Sequence, residues 1–491
     1  MLSVQEIKTF MDNDAASIKK RLAKEGQRYY EADHDIKDYR IFFVNADGML
    51  EEDKVKSNIK ISHPFFTELV DQEVQYMLSS KDGFVKSDDP QLQELLNGYF
   101  DDNEDFTAEL EETLTGAISK GFEYVYAYKN AEDKIAFKCA DSLGVVEVRA
   151  KETDDGCEYV IFWYIDRIGK DNKKIKRIQV WDKAQTFYYV EDDKGGIILD
   201  DSEKINPKPH ILWTEGDDGQ IYYEDFGMIP FFRLDNNRKQ FSGLKPIKAL
   251  IDDYDLMACG LSNNLQDTAE ALYVVKGFEG EKGGLDEMML NIRAKHHIGV
   301  VEDGGVEVHT VDIPYQARQA KLELDEKSIY RFGMGFNSAQ MGDGNITNVV
   351  IKSRYALLDL KCNKLEIRLK QFMRKLLKVV LKEINDEHGT DYQQKDVYFT
   401  FSEREVITNA ADNAQIELTD AQKQQTQANT WMMLATKFDN ETVMQNVCDV
   451  MDIEYNEIKD KLPQPEEVND PYAAQNTLTT LPTEPEGDVI E

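Results

Sequence analysis

The chain has 491 residues, a formal net charge of −35 and 41% hydrophobic residues. This length accommodates two to four domains with a sizeable core, and no apolar run is long enough to predict a transmembrane helix. The acidic charge argues against sequence-specific DNA binding, which normally needs a basic footprint, but is compatible with a protein past which DNA slides without sticking.

The cysteines and the N-terminus indicate a cellular compartment. The five cysteines lie far apart and form no C-x-x-C motif: Cys139, Cys157, Cys259, Cys362 and Cys448. This spacing argues against a disulfide framework and against a zinc site, and it fits a reducing cytoplasm. Residues 1–20 alternate charged and apolar positions and lack the apolar core of a signal peptide.

The first quarter of the chain is predicted to be mainly helical. Residues 1–36 have the pattern of a helical arm, and residues 37–60 are polar and predicted to be irregular. A helix is expected to open at His63-Pro64 and run through Ser79, with Pro64 at its first position. Its broad apolar face predicts burial. A second helical region, residues 91–120, is strongly acidic.

From residue 122 to about residue 232 the pattern becomes strand-like, with β-branched and aromatic residues separated by turn signals. The predicted strands are Glu123–Tyr128, Val145–Val148, Tyr159–Tyr164, Ile175–Trp181, Thr186–Val190 and Ile221–Tyr223. We interpret this region as an antiparallel β domain. Its aromatic residues fit a plain β core better than a binding platform.

Two further helices are predicted at residues 246–272 and 315–336, with a small α/β module between them. The module comprises strand Leu272–Lys276, helix Leu285–Ala294, strand Ile298–Val301 and strand Val306–Val311. A short α/β piece at the end of a helical pair is expected to project as a knob.

One very long helix is predicted from Val349 to Glu387, since neither proline nor glycine interrupts it. Its apolar residues recur in steps of three and four and form one stripe: Leu358, Cys362, Leu365, Leu369, Phe372, Leu376 and Val380. Between Lys352 and Lys382 it has ten Lys or Arg but only two acids. These cations fit either a solvated face that pairs with acidic neighbours, or contacts with a polyanion or with acidic surfaces of adjacent subunits.

The C-terminal region is predicted to contain a strand at Val397–Phe401 and helices within 409–462. From Pro463 to Glu491 the chain is rich in proline and acids and lacks apolar periodicity, so we expect disorder.

No known catalytic motif is present: the chain lacks a P-loop, G-x-G-x-x-G, G-x-S-x-G and H-E-x-x-H. His296 and His297 would face opposite sides of a strand. Asp343-Gly344-Asn345 resembles a fragment of a calcium loop without its distal Glu, and its glycine more plausibly gives backbone freedom. We therefore expect no catalytic residue, metal or cofactor. An acidic metal-dependent enzyme acting on nucleic acid and a monomeric β-rich binding protein remain the alternatives.

Several strings, in their order and spacing, resemble the portal proteins of long-tailed bacteriophages of Gram-positive hosts. They are Arg28–Glu31 with His34–Ile36, Phe65–Asp71 with Tyr76–Leu78, Asp252–Leu256, Leu261–Leu265, Gly333–Ser338, Gly342–Thr347 and Arg354–Leu358. The resemblance covers nearly the whole chain except the acidic tail, and no single string is diagnostic.

The resemblance implies an α+β, multi-domain portal fold that assembles into a ring, usually of twelve subunits, around a DNA tunnel. The implied parts are an N-terminal helical part of the wing (1–121), the β-rich wing (122–244), a stem helix (245–272), a small α/β clip (273–312), a second stem helix (313–336), a tunnel loop (337–350), a long spine helix with a return to the wing (349–408), a helical crown (409–462) and a disordered acidic tail (463–491).

The resemblance also implies partners and site residues. The implied partners are further copies of the chain, double-stranded DNA in transit, the terminase large subunit, a head-completion or adaptor protein, and the scaffolding and major capsid proteins, with no membrane. The protein would be assembled in the host bacterial cytoplasm and reside at the portal vertex of the virion. The tunnel-loop residues expected to face DNA are Gly342, Asp343, Gly344, Asn345, Ile346, Thr347 and Asn348. The cations expected on the spine or at a subunit interface are Lys352, Arg354, Lys361, Lys364, Arg368 and Lys375.

Overall fold

The computed structural model of this chain describes most of its residues. They are residues 1–45, 47–54, 56–80, 83–151, 156–168, 173–215, 220–267, 272–276, 284, 305–309, 315–337, 348–401, 404, 410–451 and 455. Most of the predicted clip, the predicted tunnel loop from residue 338 to Thr347, and the acidic tail from residue 463 lie outside them.

Ten α-helices lie in the described part of the chain. In chain order they are α1 (Val4–Ala15), α2 (Ile18–Tyr30), α3 (Phe65–Met77), α4 (Pro90–Tyr99), α5 (Glu104–Lys120), α6 (Lys248–Asp267), α7 (Tyr315–Gly333), α8 (Asn348–His388), α9 (Ala410–Met433) and α10 (Asn440–Val450). Short 3₁₀ turns occur at Asp35–Asp38, Gln394–Asp396 and Leu434–Thr436.

Seventeen strands lie in the same described residues. They are β1 (Phe42–Val44), β2 (Leu50–Glu52), β3 (Val85–Ser87), β4 (Phe122–Lys129), β5 (Ile135–Ala140), β6 (Val145–Val148), β7 (Tyr159–Ile168), β8 (Lys173–Trp181), β9 (Gln185–Glu191), β10 (Ile197–Leu199), β11 (Lys208–Pro209), β12 (Ile211–Glu215), β13 (Gln220–Glu224), β14 (Phe231–Asp235), β15 (Leu272–Lys276), β16 (Gly305–His309) and β17 (Val397–Phe399). The mixed α+β fold class predicted from the sequence is confirmed.

The strands between residues 122 and 235 form two main antiparallel sheets. One has the order β10-β9-β8-β7-β6, with β11 also paired to β9, and the other has the order β14-β4-β5. Helix α1 packs on the larger sheet, where its residues Ile7 and Met11 share a buried cluster with Val146, Ile161 and Ile178. The six strands predicted in this region are confirmed.

Helix α8 is the centre of the largest core. It has 41 residues and is therefore about 60 Å long. All seven residues of the predicted apolar stripe are buried. They belong to one cluster that also takes side chains from α2 to α7, the β14-β4-β5 sheet and β17. The single long helix predicted from Val349 to Glu387 is confirmed, with one extra residue at each end.

Helices α6 and α7 pack side by side. The strand that follows α6, β15, pairs antiparallel with β16, so that Leu272 faces His309 and Lys276 faces Gly305. Two strands of the predicted module are thus confirmed, and its other two elements lie outside the described residues.

The chain divides into two compact units. The first contains residues 1–345 and 349–407, which include every helix and strand described above except α9, α10, the 3₁₀ turn Leu434–Thr436 and the first residue of α8. The second contains residues 346–348 and 408–491. Within the second unit, α9 and α10 pack against each other, and Trp431 contacts Phe438 with ring centroids 6.1 Å apart.

Two predictions for the N-terminal region need correction, and a third is confirmed in more detail. Residues 37–60 are not wholly irregular, because β1 and β2 form a hairpin within them. Pro64 is the N-cap residue and α3 begins at Phe65, one position later than predicted. The helical region predicted at 91–120 is confirmed and consists of two helices, α4 and α5, with Asn103 capping the start of α5 by accepting a hydrogen bond from the Phe106 amide.

Candidate functional site

An extended run of backbone hydrogen bonds joins α6 to the segment 57–63, which precedes α3. The amides of Ser57, Ile59, Ile61 and His63 donate in turn to side chains of Asp267, Asn263, Cys259 and Asp255, at 3.2, 2.7, 3.2 and 3.0 Å. Every second amide therefore meets every fourth residue of the helix. Four helical residues advance about 6 Å and two extended residues about 6.6 Å, so the two repeats nearly match.

Asp255 is the buried end of this run. Its carboxylate accepts hydrogen bonds from Nδ1 of His34 at 2.6 Å and from Nδ1 of His63 at 2.7 Å, besides the His63 amide. Burial raises the pKa of Asp255, but the hydrogen bonds from both histidines outweigh it, so its pKa lies below the usual range. The carboxylate thus stays ionised and ties α6 to the segments on either side of the β1–β2 hairpin.

His34 contacts acceptors through both of its ring nitrogens. The imidazole is buried, and its Nε2 lies 3.3 Å from the backbone carbonyl of Tyr29. A carbonyl and a carboxylate are both acceptors, so the His34 ring lies between two acceptors. His34 therefore joins the end of α2 to the buried carboxylate of α6. The ring also stacks on Tyr29, with centroids 4.5 Å apart.

A second polar cluster joins α2 to the start of α6. The Tyr29 hydroxyl donates to Asp252, and Lys248 bridges Asp252 and Asp35 at 2.8 and 2.7 Å. Arg28 pairs with Asp35 as well. Burial raises the pKa of Tyr29, and its hydrogen bond to Asp252 raises it further. The two strings Arg28–Glu31 and Asp252–Leu256, which are more than 200 residues apart, therefore meet at one place.

Helices α6 and α7 are joined by charge. Lys321 of α7 donates to Asp253 of α6 at 2.5 Å and also pairs with the buried Asp325 of its own helix. These hydrogen bonds raise the pKa of Lys321. The pair of helices predicted to form the stem is thus held by specific contacts.

The C-terminal end of α7 packs closely on α3. A Cβ at Gly333 would lie 2.7 Å from Cδ1 of Leu69, and a Cβ at Gly335 would overlap Cδ2 of the same residue. Neither glycine has positive φ, whereas Met334 between them has φ of 57°. These two glycines are therefore required by close approach rather than by left-handed backbone.

The residues just before the predicted tunnel loop are fixed by two contacts. The Phe336 amide donates to Oε1 of Gln72 at 2.9 Å, and Nε2 of Gln72 donates to the Phe336 carbonyl at 2.8 Å. The Phe336 ring stacks on Tyr355 of α8, with centroids 4.8 Å apart. The chain therefore leaves α7 from an anchored point beside α8.

The tunnel-loop residues Gly342, Asp343, Gly344, Asn345, Ile346 and Thr347 lie outside the described residues, as do His296 and His297. Asn348 begins α8. The side chains of Lys352 and Arg354 also lie outside the described part, although their backbone is helical.

The predicted cations on α8 have different surroundings. Lys361 pairs with the buried Glu73 at 2.8 Å, so this member of the set is neutralised within the chain. Arg368 donates to Gln371 at 3.3 Å. Lys364 and Lys375 are exposed, and no carboxylate of the described residues lies within 4.0 Å of either.

Arg404 is a cation that the sequence analysis missed. Its guanidinium is buried and donates to Glu366 at 2.7 Å and to Asp359 at 2.8 Å. These are the only two acids within the basic stretch of α8, so Arg404 and Lys370 neutralise Glu366 from two sides. Nothing in the local sequence around Arg404 indicates this role.

The contact of residues 57–63 with α6 was also missed, although the sequence of α6 contains a pattern that fits it. Asp255, Cys259, Asn263 and Asp267 recur at intervals of four and so form a polar stripe on one face of α6. A polar stripe that faces backbone rather than water cannot be recognised without knowing what packs there.

Two kinds of feature are absent from the described residues. They contain no group of three or more His, Cys, Asp or Glu side chains arranged to hold a metal ion. Their helices include none that is long and apolar enough to cross a membrane.

Comparison with known proteins gives a consistent result. A family model described as "Phage portal protein, SPP1 Gp6-like" matches residues 11–467. The portal protein of Bacillus phage SPP1 is 28% identical over 380 residues, which are 76% of this chain and 73% of that protein. The portal protein of Clostridium phage phiCD119 is 23% identical over 432 residues, covering 84% and 89% respectively.

One solved structure, described as the virion of a native gene transfer agent particle, is 12% identical to this chain. The match covers 80% of this chain and 91% of the chain in that structure, with a TM-score of 0.37. The family model spans far more than half of the sequence, and both named relatives are phage portal proteins. The chain therefore belongs to the SPP1 Gp6-like family of phage portal proteins.

Proposed function

We propose that this chain is one subunit of a ring-shaped portal at a single capsid vertex, through which double-stranded DNA is packaged and later ejected. The observation that carries this proposal is the family match over residues 11–467. The subunit would have no chemistry of its own, and the energy for DNA movement would come from a separate motor.

In this proposal the described elements take the parts that the resemblance implied. Helices α6 and α7 form the stem, β15 and β16 belong to the clip, and α8 is the spine. The strands from β4 to β14, with α1 to α5, form the wing, and α9 and α10 form the crown. The antiparallel pairing of β15 with β16 supports the clip assignment, because it brings the ends of the stem helices together around one inserted module.

The stem contacts support a load-resisting role. A helix in a channel wall must hold its register while DNA moves past it, and α6 is held along its length by the 57–63 segment. The loop from Gly342 to Asn348 would face DNA. Its residues Asn345, Thr347 and Asn348 are uncharged and would add little salt-dependent phosphate binding. The acidic charge of the whole chain would also keep DNA from sticking.

The proposed partners follow from this role. They are further copies of the chain in a ring of about twelve, the terminase large subunit and later a head-completion protein at the clip, and the scaffolding and major capsid proteins around the wing. Assembly would occur in the host bacterial cytoplasm, and the mature location would be the portal vertex of the virion.

Imaging of the purified protein by negative-stain electron microscopy tests the proposal. A ring with a central hole wide enough for a DNA duplex is expected. A monomer at every concentration and salt tried, or a monomer with Mg²⁺-dependent nuclease activity, would contradict it.

A second experiment tests the loop. Deletion of residues Asp343 to Asn348 is expected to leave rings intact and to reduce the amount of DNA packaged per capsid. Normal packaging by the deletion variant would show that the loop assignment is wrong.

A further inference from the structure

A cavity of about 770 Å³ lies between the β sheets and α8, and its lining is strongly basic. Six cationic side chains line it, against a single carboxylate: Arg149, Lys183, Arg233, Arg374, Lys375 and Lys378, with Glu147. The lining of this cavity therefore has a net excess of five positive charges, although the whole chain has a net charge of −35.

The cations of this cavity fall into two groups. Arg149 and Arg233 are paired with Glu147, at 2.7 and 2.8 Å. Lys183, Arg374, Lys375 and Lys378 are exposed, and no carboxylate of the described residues lies within 4.0 Å of them. Arg149 and Arg233 are thus paired within the chain, whereas the other four cations, which we call the rim cations, have no carboxylate partner among the described residues.

An acidic surface lies on α4 and α5. Between Gln91 and Ser119 the sequence has eight Asp or Glu and no Lys, Arg or His. Glu104, Asp105, Glu111 and Glu112 are exposed, and no basic nitrogen of the described residues lies within 4.0 Å of their carboxylates. Positions 104 and 111, like 105 and 112, are two helical turns apart and share one face of α5. We call these four residues the acidic face.

We propose that the basic cavity of one subunit receives the acidic face of α5 from an adjacent subunit. This proposal rests on the ring proposed above. A cyclic ring needs two different, complementary surfaces on each subunit. Residues of the acidic face line two other cavities, and neither of these shares a lining residue with the basic cavity. One chain can therefore offer both surfaces at once.

The size of the cavity favours carboxylates over DNA. A cube with its volume of about 770 Å³ has an edge of roughly 9 Å. This is less than the width of the major groove of a DNA duplex, about 12 Å, so a whole duplex does not fit inside the cavity. Two or three carboxylates on a helix edge fit that space. Pairing them with the rim cations would also relieve the repulsion between acidic subunits that a ring brings together.

A chemical cross-link tests the contact directly. Rings are assembled from mixed ¹⁴N- and ¹⁵N-labelled subunits and treated with a carbodiimide, which joins a lysine amine to a carboxylate that touches it. We expect mixed-isotope cross-linked peptides that join Lys375 or Lys378 to the acidic face. Intact rings without such peptides would overturn the proposal and leave the ring itself standing, whereas protein that never forms rings would overturn both.

Charge reversal provides the matched test. The double variant Lys375→Glu, Lys378→Glu is expected to lower the fraction of subunits in rings about tenfold at roughly 0.15 M salt, because like charges then meet across the contact. Adding Glu111→Lys and Glu112→Lys to the same chain restores opposite charges and should restore the rings. The control Arg238→Glu, Lys239→Glu makes the same charge change at exposed cations outside the cavity, and rings should persist.

Three results would refute the assignment. The first is an equal loss of rings in the control. The second is unchanged assembly of the Lys375→Glu, Lys378→Glu variant together with weaker binding of a short DNA duplex, which would assign the cavity to a polyanion. The third is loss of rings on truncation after residue 462, which would assign the cavity to the acidic C-terminal segment.

Discussion

The contact between Asp255 and the two histidines allows a quantitative prediction. Replacing Asp255 with Asn keeps the size of the side chain but removes its charge and one of its acceptor atoms. The site presents three donors to this side chain, from His34, from the His63 ring and from the His63 amide. The Asn amide nitrogen is itself a donor, so it can bond to His34 only through a lone pair on Nδ1, and the hydrogen bonds to a charged carboxylate are lost.

The expected cost follows from general magnitudes. Hydrogen bonds to a charged group contribute about 1.5–3 kcal/mol each, and leaving a buried partner unsatisfied costs about 1–3 kcal/mol. Because Asn keeps part of the hydrogen bonding, we expect about 3 kcal/mol. Since about 1.4 kcal/mol corresponds to a factor of ten, the amides of residues 57–63 should exchange with solvent about a hundredfold faster in the variant.

Hydrogen exchange followed by mass spectrometry measures this effect locally. The matched control is Asp253→Asn, which makes the same chemical change two residues away on α6. Asp253 is half exposed and pairs with Lys321, so its loss should cost less than about 1 kcal/mol. Unchanged exchange of residues 57–63 in the Asp255→Asn variant, or equal acceleration in the control, would refute the proposed role of Asp255.

Three further predictions concern stability. The pKa of Asp255 is lowered in the folded chain, so its contribution to folding stability is fully present above its unfolded pKa of about 3.9 and is lost as pH falls through its folded pKa. The urea midpoints of wild type and Asp255→Asn should therefore converge below about pH 4. Gly335→Ala should destabilise by about 1–3 kcal/mol in urea unfolding, because its Cβ overlaps Leu69. Arg404→Gln should cost about 3–5 kcal/mol by the same assay, because Glu366 then keeps only one of its two cations.

Each of these predictions has a control or a contradicting result. Gly98→Ala lies in a helix with open space around the new Cβ and should stabilise by roughly 0.5–1 kcal/mol. Lys364→Gln changes an exposed cation on α8 and should have an effect within about 0.5 kcal/mol. Urea midpoints for Asp255→Asn and wild type that stay equally far apart at pH 3 and pH 7 would contradict the pH prediction.

The sequence alone determined the elements that depend on local periodicity. The 3.6-residue repeat of apolar residues defined α8 and its buried stripe, and the alternation of β-branched and aromatic residues defined β4 and β6 to β9. Even the isolated strand Leu272–Lys276 was placed with its correct ends. These features are local because each residue's direction follows from its position within its own helix or strand.

Only the tertiary structure decided which polar groups meet. The sequence does not indicate that alternate amides of residues 57–63 bond to every fourth residue of α6, or that Arg404 pairs with Asp359 and Glu366 of α8. It also gave no reason for the glycines at 333 and 335, where a Cβ would meet the side chain of Leu69. Such contacts join residues that are far apart in the chain, so they depend on how the helices and strands pack. A local sequence pattern does not indicate which distant residues will lie side by side.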